Sequence, residues 1–145
     1  MHRRAAIALS ALTFFAASAA KADMAPSLID QLSGPAAEQI FRERPGLSRF
    51  ATSGSPDAKV YPDVATELKG ALERTRAMMA AESADWSEVL EVRISTRNEA
   101  DREAAIAVIA EYPEVARLPV SFSVVNKLPA TRARVSLDVV AEERH

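Results

Sequence analysis

Cysteine is absent from this chain of 145 residues, and histidine occurs only twice, as His2 and His145. Without cysteine no disulfide can hold the fold together, so stability depends on a buried core. The histidines lie at the two ends, and the body of the chain therefore lacks both an imidazole and a thiol. This excludes a Ser-His-Asp triad, a Cys-His pair and a Cys/His zinc site. Because Asp and Glu form no clustered motif either, we expect no metal and no organic cofactor.

A strong excess of charge of either sign is also missing. The chain has 18 Lys and Arg against 20 Asp and Glu, which gives a formal net charge of -2. A nucleic-acid surface needs clustered positive charge to bind phosphates. The densest basic group, Arg42, Arg44 and Arg49, is interrupted by Glu43. We therefore expect no nucleic-acid partner.

The N-terminus has the pattern of a secretory signal peptide. A basic stretch, His2 to Arg4, precedes an apolar run from Ala5 to Ala20. Ala20 is also the first residue of the sequence Ala-Lys-Ala at positions 20–22, which is typical of a cleavage site. This pattern predicts a signal peptide over residues 1–22 with cleavage between Ala22 and Asp23, and hence a periplasmic or secreted protein without a stable membrane anchor. The apolar run is shorter than the ~20 residues that a membrane-spanning helix needs. A retained anchor is therefore the weaker alternative.

The rest of the chain divides into a lead-in and one domain. Residues 23–46 read as an irregular N-terminal lead-in with two short helices, Ser27–Leu32 and Ala36–Arg44, among prolines and glycines. Residues 47–145 are of a length that one domain typically has, ~100 residues. Within them Arg49–Gly54 predicts a strand that ends at a glycine turn.

Two helices and a strand follow. The spacing predicts a helix from Tyr61 to about Ala81, with one apolar stripe formed by Val64, Leu68, Leu72 and Met79. The alternation of Leu90, Val92 and Ile94 with polar residues predicts a half-buried strand. Asn98 then predicts the N-cap of a second helix that is closed by Pro113.

The segment from Leu118 to Ala141 predicts a closing β-hairpin. Val120, Phe122 and Val124 alternate with serines, and a second alternating run follows a bend at Lys127–Ala130. The element order, strand, helix, strand, helix, strand, strand, predicts an α+β fold. Its mixed β-sheet would have two helices packed on one face and an antiparallel last pair. The other face would need oligomerisation or polar residues to be stable.

Five blocks of sequence, in order and with matching spacing, resemble one known family. The blocks RFATSGSP, DVATELKGALERTRAMM, WSEVLEVRIST, VSFSVVNKLP and VSLDVVA, which lie between Arg49 and Ala141, look like those of the RidA family, also called the YjgF-like or endoribonuclease L-PSP family. The resemblance implies a chorismate-mutase-like fold. It also implies a homotrimer whose strands form a central barrel and whose ligand clefts lie between subunits, which would cover the second sheet face.

The resemblance also implies a chemistry that this chain does not fully carry. Active members hydrolyse reactive enamines and imines. They use an arginine that holds the substrate carboxylate, with two hydrogen bonds from a planar guanidinium, and a glutamate that positions water. By spacing from Leu128-Pro129, the arginine position falls on Val120 and the glutamate position on Ser136. The family's asparagine of the second helix is replaced near Ala104.

The resemblance assigns a small-molecule site to Ser53, Gly54, Val120, Phe122 and Ser136. Ser53 and Gly54 match the family's TSG turn. The structural alternatives stay open: Ser53 would simply end a strand, Gly54 would supply a turn conformation and Phe122 would belong to the core.

Arg117, three residues before Val120, is the one candidate catalytic residue. It would replace the missing guanidinium if its loop swings into the cleft. The alternative is a solvated surface arginine.

Three functions follow. The leading hypothesis is an exported RidA-like protein that binds a small metabolite in an inter-subunit cleft and has weak or absent enamine/imine deaminase activity. The first alternative is an active divergent deaminase, a hydrolase that uses Arg117 as its anchor and Ser53 or Ser136 to hold water. The second is a non-catalytic trimeric interaction protein. The family's ribonuclease label gains no support, because the sequence has neither a basic groove nor a histidine pair.

Overall fold

The structure, a computed structural model, describes residues 27–53, 61–130 and 132–143. The predicted signal peptide, residues 1–22, and its cleavage site between Ala22 and Asp23 lie outside the described residues, and so does Gly54.

Six helical segments and four strands make up the described chain. In chain order they are α1 (Leu28–Leu32), α2 (Ala37–Glu43), β1 (Leu47–Ser53), α3 (Val64–Ala81), a 3₁₀ turn (Trp86–Glu88), β2 (Val89–Thr96), α4 (Glu99–Ala110), α5 (Pro113–Ala116), β3 (Val120–Val124) and β4 (Val135–Glu142). The two short helices predicted in the lead-in are confirmed as α1 and α2. The predicted strand, helix, strand, helix, strand, strand order of the domain is confirmed as well.

Polar caps fix the starts of the two long helices. The Asp63 carboxylate accepts the backbone N–H of Thr66 at 2.7 Å at the start of α3. The Asn98 side chain accepts the N–H of Asp101 at 2.8 Å at the start of α4. Each cap satisfies one of the backbone donors that the first turn of a helix leaves without an intrahelical partner.

The sheet has the strand order β1-β4-β2-β3. Strand β4 runs antiparallel to both β1 and β2, and β2 runs parallel to β3. The predicted hairpin over Leu118–Ala141 is therefore wrong, because β3 and β4 do not pair and β2 lies between them. The mixed sheet that the sequence predicts is confirmed.

Burial explains why β4 rather than β3 takes a central place. Val135, Leu137 and Val139 of β4 are each at most 1% exposed. Strand β3 is shorter and has an exposed serine, Ser121, and an exposed Val124. A short strand with polar and exposed side chains suits the edge of a sheet, whereas an apolar strand gains more from neighbours on both sides.

The main core lies between the sheet and the two long helices. It combines one side of each strand with the apolar stripe of α3 and the inner side of α4; its largest fully buried members are Leu68, Leu72, Met79, Ile94, Leu137, Val92, Val108, Val115, Val135 and Val139. The helix-bearing side of the sheet is called the helix face below, and the other side the open face.

The open face is covered in part by the chain itself. Ile29 and Leu32 of α1 pack with Leu47 of β1 and Val140 of β4 in a second, smaller apolar cluster. Polar and charged side chains occupy much of the remaining face. We expected this face to need oligomerisation or polar residues. Polar residues are present, and α1 provides an additional, unpredicted cover.

One residue that the strand pattern predicts to be buried, Leu90, is exposed in the structure. Leu90 is 38% exposed, and Val89 is buried instead. The pairing of β2 with β4 shifts register between Val89 and Glu91. This irregularity changes the alternation at the start of β2, because an extra residue moves the following side chains relative to the partner strand.

No helix among residues 27–53, 61–130 and 132–143 combines the length and the apolar character that crossing a membrane requires.

Candidate functional site

Four serines form a row across the whole sheet. Ser53 of β1 is the register partner of Ser136 of β4, Ser136 is the partner of Ser95 of β2, and Ser95 is the partner of Ser123 of β3. Register partners share a face of the sheet. We call these four residues the serine row.

The serine row lies on the open face, because the neighbouring residues of its strands point into the main core. Each of the four serines is half-buried. With strands ~4.8 Å apart, a row across four strands is about 14 Å long.

Two contacts to α3 hold the β1 end of the row. Arg74 donates from Nη2 to the backbone carbonyl of Ser53 at 2.7 Å. The hydroxyls of Thr52 and Thr75 are hydrogen-bonded at 2.9 Å in a buried position. Thr75 falls on the apolar stripe of α3, and a polar residue on such a stripe is a sequence signal of a buried hydrogen bond. This contact was not predicted.

A buried carboxylate holds the β4 end of the row. Glu67 is 1% exposed. Its Oε2 accepts the backbone N–H groups of Arg134 at 2.7 Å and Val135 at 3.0 Å, directly before Ser136. Charge-assisted bonds of this kind are stronger than bonds between neutral groups. Helix α3 therefore positions both Ser53 and Ser136, and neither Glu67 nor Arg74 was predicted from the sequence.

The row next to the serine row contains two charged residues, Asp138 of β4 and Arg93 of β2, each of which has an oppositely charged partner outside the row. Arg49 donates from Nε and Nη2 to both carboxylate oxygens of Asp138, at 2.9 and 2.5 Å, and this hydrogen bonding raises the pKa of the Arg49 guanidinium. Arg93 donates to Asp30 of α1 at 2.6 Å. That bond lowers the pKa of the Asp30 carboxyl. These charges are thus committed to pairs within the chain.

The chemistry of the serine row is that of neutral hydrogen bonding. A serine hydroxyl both donates and accepts, so the row can bind carboxylate, hydroxyl or amino groups. A serine becomes a nucleophile only when a base activates it, and the nearest carboxylate on this face, Asp138, is paired with Arg49. Within the described ranges, no group of three or more His, Cys, Asp or Glu is arranged to hold a metal ion.

The other predicted site residues lie elsewhere. Val120 and Phe122 are on the helix face of β3, where they pack against the main core and pair with Val92 and Ile94. The sheet separates them from the serine row. Thus the structure brings together Ser53 and Ser136, and it does not bring Val120 or Phe122 to them within one chain.

Arg117 also lies away from the serine row. It is exposed and follows α5, three residues before β3 begins. Strand β3 begins opposite Val92, three residues from the position of Ser95 in β2, which is about 10 Å along the strand. Within one chain, Arg117 and the serine row are therefore at opposite ends of the sheet.

A cleft of about 490 Å³ is present at that opposite end, among the residues described. Its walls include Glu43, Glu88, Leu90 and Glu143, together with Arg44, which donates to Glu142 at 2.9 and 2.7 Å. None of the residues predicted for the site lines this cleft.

Solved structures of known proteins share the fold. A putative endoribonuclease from Thermotoga maritima superposes with a TM-score of 0.60 at 16% identity, over 69% of this chain and 81% of the other. Rv2704 from Mycobacterium tuberculosis, a member of the YjgF/YER057c/UK114 family, gives 0.55 at 24% identity, over 68% and 80%. TdcF from Escherichia coli with bound serine gives 0.60 at 13% identity, over 68% and 82%.

These similarities confirm the fold that the sequence blocks predicted. The chain has the chorismate-mutase-like α+β fold of YjgF/RidA proteins, and the RidA resemblance is confirmed at the level of the fold. No family model matches the sequence, and no curated protein matches it.

Proposed function

We propose that this chain is a divergent, exported RidA-like protein that binds a small polar metabolite at the serine row and has weak or absent enamine/imine deaminase activity. The observation that carries the proposal is the serine row itself, in which Ser53 and Ser136 are register partners. Ser136 stands at the position that the resemblance gives to the family's glutamate, so a hydroxyl replaces a carboxylate at the point where water would be positioned.

The loss of the guanidinium supports binding without efficient turnover. The arginine position of the resemblance is occupied by Val120, which packs against the main core. Neither a valine nor a serine hydroxyl can supply the charge that stabilises a developing transition state. A hydroxyl row can still bind the carboxylate or the ammonium group of an amino acid, because hydrogen bonds to charged groups contribute about 1.5–3 kcal/mol each.

A small amino acid is the class of ligand that we propose. TdcF of Escherichia coli, which shares the fold, has been solved with bound serine. A ligand of that size would fit along a row about 14 Å long. We further propose that a second copy of the chain, in a homotrimer, covers the serine row and forms the other wall of the cleft, since the half-buried serines and the exposed Ser121 next to them are accessible to solvent in one chain.

Binding is tested with L-serine as the probe, by calorimetry on the intact protein. Ser95→Ala and Ser136→Ala remove one hydroxyl each from the row. Each is expected to weaken binding about tenfold or more, which is the loss of one hydrogen bond to a charged group of L-serine. The matched control is Ser48→Ala, because Ser48 is also half-buried on β1 but is paired with Ala141, far from the row. If L-serine binds equally to all four proteins, the serine row is not the site.

Turnover is tested by ammonia release from imines that an amino-acid oxidase generates in the assay. We expect a rate equal to, or only slightly above, the rate without the protein, because the arginine and the glutamate of the resemblance are missing. A rate far above that of the control that contains the oxidase alone would contradict the proposal of weak or absent deaminase activity. The binding part would then still be judged by the calorimetry.

A further inference from the structure

The segment 27–33, which contains α1, lies across the open face, and we call it the N-terminal strap. Arg93 of β2 donates from Nη1 to Asp30 at 2.6 Å and from Nη2 to the Ser27 hydroxyl at 2.8 Å. The backbone N–H of Leu28 donates to Oε2 of Glu91 at 2.8 Å. Arg49 of β1 reaches the carbonyl of Leu32 at 3.4 Å. The strap is therefore held by charges from two strands of the sheet.

Apolar contacts under the strap are as complete as those of the main core. Ile29 is 1% exposed and Leu32 is 5% exposed, and they cover Leu47 and Val140, which are 5% and 0% exposed. This burial belongs to the half of the open face that lies away from the serine row. The strap thus divides the open face into a covered half and an uncovered serine half.

The strap depends on the sheet for its own structure. Its helix α1 has five residues, and isolated helices shorter than about 12 residues are marginal in water. The Ser27 hydroxyl caps α1 by accepting a hydrogen bond from the N–H of Asp30 at 3.0 Å. The same hydroxyl also accepts a hydrogen bond from Nη2 of Arg93. Weakening the contacts with the sheet is therefore expected to release the strap as a unit.

The surface under the strap would be complementary to itself. It presents two apolar residues, Leu47 and Val140, next to Arg93 and Glu91, which lose their strap partners when the strap leaves, whereas Arg49 and Asp138 stay paired with each other. A two-fold arrangement brings the same patch of two copies together, so that Arg93 of one copy can meet Glu91 of the other. A balanced, partly apolar patch of this kind fits a second copy of the chain better than it fits a strongly charged partner.

We infer that the N-terminal strap competes with a second copy of the chain for the same surface. The strap covers half of the open face and thereby confines subunit contacts to the serine half. When the strap is displaced, a second copy of the chain takes its place over Leu47 and Val140. This inference rests on the proposed homotrimer for the subunit contacts at the serine half, and it does not depend on the proposed ligand or on deaminase activity.

The test uses the full chain with two substitutions, Ile29→Ser and Asp30→Lys, which remove the apolar contact and the ion pair that hold the strap on the sheet. We call this protein the unlatched variant. Both substitutions are in the strap, so the sheet surface is unchanged. The control is Glu38→Lys, which makes the same change of charge at an exposed position of α2. Mass is measured by light scattering during gel filtration over a range of protein concentrations. The unlatched variant is expected to show at least about twice the mass of the wild type, and the control is expected to keep the wild-type mass.

A second substitution identifies the surface. Adding Glu91→Lys to the unlatched variant makes the patch positive, because the introduced ammonium group would join Arg93, and copies should then repel each other. This variant is expected to return to the wild-type mass. An unchanged mass in the unlatched variant, with a native circular dichroism spectrum, would overturn the inference. So would an increased mass that Glu91→Lys does not reverse. If the double substitution unfolds the chain, Asp30→Lys alone, at an exposed residue, gives the same two outcomes.

Discussion

Glu67 and Val135 are joined by a hydrogen bond of 3.0 Å from the backbone N–H of β4 to a carboxylate that is 1% exposed. The same oxygen accepts from Arg134 at 2.7 Å. One side chain of α3 thereby fixes the start of β4, one of the two central strands, next to Ser136. Because the bond is charge-assisted and shielded from water, it contributes more than an ordinary surface contact.

We predict that Glu67→Ala lowers the free energy of unfolding by about 2–4 kcal/mol, because two backbone N–H groups lose their acceptor. Glu67→Gln keeps an acceptor oxygen and should cost clearly less. Urea denaturation measures both. The control is Glu73→Gln on the same helix, where Glu73 forms a solvent-exposed pair with Arg76, and its effect should be small. Equal costs for Glu67→Gln and Glu67→Ala would show that the hydrogen bonds contribute little.

The buried hydroxyl pair of Thr52 and Thr75 predicts non-additive effects. Thr52→Val or Thr75→Val alone leaves one buried hydroxyl without its partner and should cost about 1–2 kcal/mol. The double variant removes both hydroxyls and should cost less than the sum of the single variants. Urea midpoints of the four proteins give the coupling energy directly. Additive costs would mean that the 2.9 Å contact has no energetic role.

Arg117→Ala separates the proposed function from the active-deaminase alternative. Arg117 is exposed and lies at the end of the sheet away from the serine row, so its removal should leave both the affinity for L-serine and the rate of ammonia release unchanged. The measurements are the same calorimetry and the same coupled assay. A loss of either in a folded variant would mean that Arg117 of one chain reaches the serine row of another, as a subunit cleft would allow.

The Asp30–Arg93 pair predicts a pH dependence of the strap. The hydrogen bond from Arg93 holds the pKa of the Asp30 carboxyl below its ordinary value of 3.8. A lowered pKa in the folded state means that the stabilisation is present above the ordinary pKa and is lost as the pH falls through the folded value. The other charges near the pair are Glu91 and Asp138, which act on Arg93.

The difference in unfolding free energy between the wild type and Asp30→Asn should therefore stay constant from about pH 7 to about pH 5 and shrink towards zero at lower pH. Asp30 is more than half exposed, so the plateau should be no larger than about 1 kcal/mol. Urea titrations across this range, with Glu38→Gln as a surface control, measure the difference. A difference that grows as the pH falls would have the wrong sign.

The local elements were predictable because their signals are local. The alternation at Val135, Leu137 and Val139 and the stripe at Leu68 and Leu72 depend only on which side of a strand or helix each residue faces. The resemblance added the chorismate-mutase-like type of this α+β fold and the prediction that Ser53 and Ser136 belong to a site. It also grouped Val120 and Phe122 with them, and these two lie on the other side of the sheet.

The sequence by itself determined the four strands, the two long helices and the two short helices of the lead-in, together with their order, the Asn98 cap and their apolar faces. Each of these follows from residues a few positions apart. Only the tertiary structure decided that β4 inserts between β1 and β2, that the strap covers Leu47 and Val140, and that four serines from four strands align in one row. These features depend on contacts between distant segments, such as Glu67 with Val135 and Asp30 with Arg93, whose partners no local pattern specifies. Burial of the most apolar strand at the centre of the sheet outweighed the proximity in sequence that favours a hairpin.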